Sequence, residues 1–565
     1  MEAWWRTSPR LSGREAALAA LAGALLALLL FWPLPLHLGR DIPLDLGDPL
    51  PQSWQVAWGG HALATQPLEL FQSNQFWPLR DTLAFSDALI GYAPAGLFGS
   101  GPHAAVVRYD LLFLLAFAMA FLGAYLLARE LGVPWWAAAV GGVAFACAPW
   151  RLEQGGHLHV LSSGGIPLTL FLLLRGWRRE SPWAVVGGFA VAAWQVSLGF
   201  SLGLLLVYLL ALLTALAALW WWRAGRPAPP RRMVVATLAG ALLLAAVSLA
   251  LARPYMRVLD EHPQARRSAV TVARYSPGPE AFLTSSRTSL VWGGATARLR
   301  EDMVAVAEKT LLPGLVILLL AAAGLGLRAW PRALRIGLGV CVAVLAVLSL
   351  GFQVDGIGRF LPYRLLWEVL PGWQGIRVPG RLHVLTTLAL ALLAAGGAAR
   401  IAAAAQGRRG ARAGPAIALA LAALVVVEGS GFGIGRDGQA VAAYPHPAVP
   451  RAPAGLAGLP EPLLQLPAAP EDNRRYLLWS TDGFPLMMNG RSSVEPELFK
   501  DTVREVGPCF PTRDSLARLR RLGVRTVVVH ADRRPGRPAA CAGAPPPSGL
   551  QGERRGTLLV YDLRD

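Results

Sequence analysis

Residues Glu15–Asp48 read EAALAALAGALLALLLFWPLPLHLGRDIPLDLGD, an apolar run that ends in a glycine–aspartate pair. The run as far as Leu36 is long and apolar enough to cross a bilayer. Arg6, Arg10 and Arg14 precede it, so the positive-inside rule predicts a cytoplasmic N-terminus. Asp48 is then expected on the opposite side, at the membrane surface, in a loop covering 37–109. The apolar region is too long for a secretory signal, and no small-x-small cleavage site precedes His37, so it reads as an uncleaved first span.

The rest of the chain continues in the same way. Of its 565 residues, 54% are hydrophobic and 16% charged, whereas soluble domains average about 25% charged. The formal charge of +18 comes almost entirely from arginine, with Lys309 and Lys500 the only lysines. Much of that charge lies in short loops between apolar runs rather than in one basic patch, which argues against nucleic-acid binding. Further spans are predicted near 110–128, 134–150, 160–176, 183–198, 200–222, 233–252, 311–328, 333–351, 382–400 and 415–433. With the first, they make about eleven.

Loop charge checks the parity of this count. The loops expected inside carry Arg129, then Arg175, Arg178 and Arg179, then Arg223, Arg226, Arg231 and Arg232. Arg328, Arg332 and Arg335 follow, and then Arg400, Arg408, Arg409 and Arg412, with only Glu130 and Glu180 as acids. The predicted fold is an α-helical polytopic membrane protein with a small C-terminal extracytoplasmic α/β domain. Residues 1–434 form the membrane domain, with outer loops 37–109, 253–310 and 352–381, and 435–565 form the outer domain. In that domain Arg475–Trp479, Thr526–His530 and Thr557–Tyr561 read as strands, and Ser515–Leu522 as a helix. Cys509 and Cys541 both fall there and could pair in an oxidising compartment, while Cys147 and Cys341 lie within spans.

Chemistry-bearing side chains collect on the outer segments. Pro49 and Pro51 suit a helix start, and Trp54, Trp58 and His61 recur on one helical face. Asp48 would sit at that helix's N-terminus, either as a site carboxylate or as a simple N-cap. Asp87 is a second acid, or else a cap on the segment after it. Asp48 and Asp87, with a histidine of the same loop such as His61, could hold a divalent cation such as Mg or Mn through hard oxygen ligands. Without an ion, either could deprotonate an acceptor hydroxyl. Arg151, His157 and His159 occupy a second outer turn, and Arg377, Arg381 and His383 lie where the chain re-enters the membrane. Arginine binds phosphate by bidentate hydrogen bonds, although snorkelling at a span end accounts for any one of these arginines.

Several stretches together resemble the GT-C superfamily of integral membrane glycosyltransferases, and a bacterial group with that fold. These are GDP…W…WGGHAL from Gly47, FWPLRDTLAFSD from Phe76, APWRLEQGGHL from Ala148, LPGWQGIRVPGR from Leu370, and MNGRSSVEP from Met488. The resemblance implies a GT-C-like fold in a bacterial cytoplasmic membrane. It also implies transfer of a sugar from a polyprenyl-phosphate carrier to a glycan, lipid or protein acceptor. It assigns the base or metal-associated role to Asp48, with Asp87 as a looser match. His61, Arg151, His157, His159, Arg377 and Arg381 are the expected substrate-binding residues. A transporter or flippase of lipid-linked saccharide, or a non-catalytic assembly protein, are the competing readings. Transporters usually hold charge near mid-bilayer, and here only Glu428, near the end of the last span, departs from the span-end pattern.

Overall fold

Long runs of Leu, Ala and Val with few charges have no alternative in lipid but to close their backbone hydrogen bonds internally, and they do so as helices. The computed structural model describes residues 8–226, 228–353, 362–431, 433–434, 440–441, 444–507, 509–533 and 550–564. Among these, seven helices are long and apolar enough to cross a membrane: Gly13–Leu30, Gly101–Glu130, Leu158–Arg178, Phe200–Arg223, Arg231–Glu261, Arg332–Ser349 and Pro379–Arg409. Four shorter apolar helices, Trp135–Ala146, Pro182–Leu198, Leu315–Gly326 and Ala413–Glu428, complete the set. Each of the eleven coincides with one apolar segment expected from the sequence. The protein is a multi-pass helical membrane protein.

The chain divides into two compact units. The first comprises Met1–Leu36, Leu112–Leu251 and Arg266–His446, and the second His37–Leu111, Ala252–Ala265 and Pro447–Asp565. This division differs from a cut at residue 434, because the 37–111 segment packs with the C-terminal region.

The first unit is organised around Pro379–Arg409, whose apolar window is wholly buried. Its alanines and glycines let neighbouring helices approach closely, the packing mode of membrane bundles. The contact with Leu315–Gly326 is tightest: a Cβ on Gly324 would lie 1.9 Å from the Leu393 carbonyl oxygen, and one on Gly397 2.1 Å from that of Leu320. By contrast, Leu238, Leu242 and Leu249 stay 65%, 71% and 68% exposed, an apolar surface suited to lipid.

One end of this bundle is tied by ion pairs. Glu15 accepts from Arg129 at 2.6 Å, and the buried Glu130 carboxylate meets Arg175 at 2.8 Å and Arg178 at 3.4 Å. Glu15 of the first helix and Glu130 therefore neutralise arginines in place.

The second unit carries a four-stranded sheet of β1 (Leu463–Leu466), β2 (Thr526–His530), β3 (Glu553–Arg555) and β4 (Leu558–Asp562), in the order β1-β2-β4-β3. β1 and β2 are parallel and the remaining pairs antiparallel. Helices Pro470–Trp479, Glu497–Val506 and Arg513–Arg521 accompany it. The stretch Arg475–Trp479, expected as a strand, is helical. Pro470 opens that helix, with Glu471 and Asp472 in its first turn, signals that outweigh a short apolar run of ambiguous period.

Two of the stretches that carried the resemblance meet inside this unit. The Phe76 amide bonds the Asn489 carbonyl, the Trp77 amide that of Met487, and the Met487 amide that of Asn74. The Asn74 side chain accepts from Trp54 at 2.9 Å and donates to Ser480 and Pro485, so the first loop is sewn to the C-terminal region.

Substituting Gly397→Ala should destabilise the protein by about 1–3 kcal/mol, because backbone rather than a flexible side chain opposes the new methyl. Gly337→Ala, which meets nothing within 4 Å, should not. Thermal denaturation of the purified protein in detergent measures both.

Candidate functional site

The helix Pro49–Thr65 follows Asp48, its N-cap residue, whose φ of −66° and ψ of −23° are themselves helical rather than the extended values usual at that position. An aspartate there ordinarily accepts from the second or third amide of the helix. Here the third residue is Pro51, which has no N–H, and the second, Leu50, donates to the Gly47 carbonyl at 3.3 Å. Asp48 accordingly makes no side-chain capping bond. Its side chain is 46% exposed, and its Oδ1 lies 3.8 Å from Nη2 of Arg474 on the Pro470–Trp479 helix. The neighbouring Asp45 takes the turn instead, accepting from the Gly47 amide at 2.7 Å.

The other first-loop residues lie away from this carboxylate. His61 is on the same unbroken helix, thirteen residues on, or roughly 20 Å along its axis. There it contacts Trp58 and Phe484, with ring centroids at 5.1 and 4.6 Å. Burial lowers its pKa and favours the neutral imidazole. The Asp87 carbonyl accepts from Gln55 Nε2 at 3.0 Å, a point about two turns beyond Asp48. The turn that follows Asp87 starts at Leu89 without a side-chain cap, so Asp87 does not cap it. Among the described residues no group of three or more His, Cys, Asp or Glu gathers that could hold a metal ion.

The cationic candidates belong to the first unit, where the structure gives them distinct surroundings. Arg151 is 1% exposed. It donates to Ser163 Oγ at 3.1 Å and the Leu161 carbonyl at 2.9 Å, and packs on the Phe117 ring. It is thus enclosed by protein rather than presented to a substrate. Arg381 is also buried, donating to Ser201 Oγ and to Glu308 Oε1, each at 3.1 Å. His157 Nδ1 pairs with Gln154 Oε1 at 2.8 Å, and its Nε2 lies 3.9 Å from the same Glu308 oxygen. His159 packs edge-on to His157, with centroids 5.7 Å apart. His383 is enclosed between Trp150 and Phe282. Arg377 differs: it is half-buried, with its guanidinium over the Tyr275 ring at 4.6 Å, and among the described residues it makes neither hydrogen bond nor ion pair.

Glu308 is one residue that sequence reading missed. Burial acts to raise its carboxyl pKa, but Arg381, His157 and Arg377 overcome this and hold it at about 2. It stands just before a span in the stretch VAEKT, where nothing local marks it as a hub. Arg474, one residue before the stretch expected as a strand, was missed as well. Glu428, the one acid at odds with the span-end pattern, accepts from Trp292 Nε1 at 2.8 Å and from the Leu315 and Val316 amides. It caps the Leu315–Gly326 helix. Cys509 is disulfide-bonded, and Cys541 lies outside the described residues.

The architecture of a polytopic helical bundle with an α/β unit is similar to that of solved structures. Arabinofuranosyltransferase AftD from Mycobacteria matches with a TM-score of 0.52 and 19% identity over 98% of this chain. The chain spans 40% of the length of AftD. The oligosaccharyltransferase AglB from Archaeoglobus fulgidus, in complex with an inhibitory peptide and a dolichol-phosphate, is similar at a TM-score of 0.42 and 14% identity, covering 92% of this chain and 69% of that one. ArnT from Cupriavidus metallidurans, bound to undecaprenyl phosphate, gives 0.34 and 14%, covering 98% of each chain. No protein-family model and no curated protein matches.

Glu308→Gln should cost about 3–5 kcal/mol, since it leaves Arg381 buried without its carboxylate. The sign with pH follows from a pKa held below the ordinary 4.5 at about 2. The ion pair contributes fully above 4.5, and its contribution is lost as pH falls towards 2. Acid melting curves of the wild type should show that loss, and those of the variant should lack it.

Proposed function

We propose that this protein is a membrane glycosyltransferase that moves a sugar from a polyprenyl-phosphate carrier to an acceptor hydroxyl on the extracytoplasmic face of a bacterial cytoplasmic membrane. The observation that carries the proposal is the uncapped Asp48 carboxylate, half exposed at the start of a helix whose prolines remove the amide it would otherwise bond. The GT-C-like fold shared with AftD supports the reaction class.

Asp48 takes the proton of the acceptor hydroxyl as that oxygen attacks the anomeric carbon. The bond from that carbon to the carrier phosphate breaks, and the phosphate leaves with the electron pair. Arg474, 3.8 Å from Asp48, positions the carboxylate and brings positive charge to the reacting groups. In the membrane unit, Arg377 is the guanidinium best suited to a lipid phosphate, because Arg151 and Arg381 are occupied by protein partners.

The orientation follows from the charge pattern. Leu158–Arg178 has His157 before one end and Arg175 and Arg178 at the other. The basic, ion-paired end is therefore assigned to the cytoplasm and the His157–Glu308 end to the outside.

The test is transfer from a panel of polyprenyl-phosphate-linked sugars by the reconstituted full chain. Asp48→Asn should reduce transfer by about 10²–10⁴-fold while the protein still folds, as a cooperative thermal melt would show, since asparagine nearly matches aspartate in size and shape. Undiminished transfer by that variant removes Asp48 from the chemistry. Alkaline phosphatase fusions at residue 100 should be active, and fusions at residue 225 inactive.

A further inference from the structure

His61 does not reach Asp48, yet it lies on a cavity of its own. A cavity of about 180 Å³ in the second unit is lined by Gly60, His61, Gly96, Arg108, Thr481 and Phe484. Its floor is backbone. A Cβ on Gly60 would lie 2.0 Å from the Gly96 carbonyl carbon, and one on Gly96 2.2 Å from the Val56 oxygen, so the helix and the following turn touch without side chains between them. One wall is aromatic: Phe484, held at a left-handed φ of 51°, packs its ring against both His61 and Trp58. A bulky residue in that conformation is strained, and such strain persists where the surroundings require the side chain to point in one direction.

The remaining wall is a cation. Arg108 is 7% exposed. Its Nη1 donates to the Phe98 and Gly99 carbonyls, which fixes the guanidinium plane. Its buried Nε has no hydrogen-bond partner, and no carboxylate pairs with Arg108 among the described residues. A buried guanidinium with only carbonyls for company is costly unless an anion completes it. Arg108 lines the cavity, and a guanidinium is the group that receives carboxylate or phosphate oxygens.

We propose that this cavity binds a small anionic molecule of about one sugar ring. Its carboxylate or phosphate lies against the Arg108 guanidinium, and its ring lies against Phe484. The site is separate from Asp48, at the far end of the same helix, and the proposal does not depend on Asp48 being the base.

Calorimetric titration of the full-length protein in detergent tests it, with glucuronate, glucose 1-phosphate and glucose as probes, and phosphatidic acid in mixed micelles as a lipid source of the same charge. At least one anionic probe should bind about tenfold or more tightly than glucose, and Arg108→Gln should abolish that preference. Phe484→Ala should weaken the sugar probes while sparing the preference for charge, and it serves where the Arg108 variant does not fold. Binding of phosphatidic acid in place of the soluble anions, with the same dependence on Arg108, identifies the ligand as a headgroup. Asp48→Asn should leave every affinity unchanged. Equal binding of glucose and the anions, binding indifferent to both Arg108 and Phe484, or no binding of any probe would overturn the proposal. None of these results alters the transfer assay, so the two readings fail separately.

Discussion

A helix whose third residue is proline offers no third amide for an N-cap side chain to bond. In the Pro49–Thr65 helix that constraint acts beside a second, because the Leu50 amide turns back to Gly47. An aspartate at such a position keeps its carboxylate for other partners, while the helix still directs its positive end towards it. The chemistry proposed here depends on that local arrangement. Replacing the prolines by residues with an N–H would invite Asp48 back into capping, and its charge would then serve stability rather than reaction.

Charge in the membrane unit follows a different rule. Burying an ion costs several kcal/mol unless partners complete it, and the bundle meets that cost at its two ends by different means. At one end loop arginines share the few available acids, Glu15 and Glu130. At the other, the single carboxylate of Glu308 draws Arg381 and His157 from separate segments, and Gln154 holds the histidine from behind while donating to the Ala307 carbonyl. Glu308 is therefore a fastening between loops, and Arg381 is part of it. Arg377 adds its charge to the same carboxylate from a distance while its guanidinium rests on Tyr275.

The spans were legible because their cause is local: an uninterrupted apolar run must be helical in lipid, whatever lies around it. Where the observed helices are shorter than expected, the cause is not local. Leu315–Gly326 begins four residues after the predicted start because Glu428, more than a hundred residues away, caps it there. The joining of the first loop to the C-terminal region depends on pairings such as Trp77 with Met487, which no periodicity encodes. Asp48 was visible as a candidate because Gly-Asp-Pro is a local signal. Glu308, Arg474 and Arg108 were not, because each gains its meaning from a neighbour far off in sequence. His61 was expected at the same site as Asp48 because a helical face was read without its length.

That length matters for how the second unit can work. A rigid helix with an acid at its start and a histidine four turns later fixes two points relative to each other, with no loop between them to flex. The Gly60–Gly96 contact then locks the far end to the turn that carries the Arg108 cavity. A ligand in that cavity would be held at a set distance from Asp48, as a gauge would hold it.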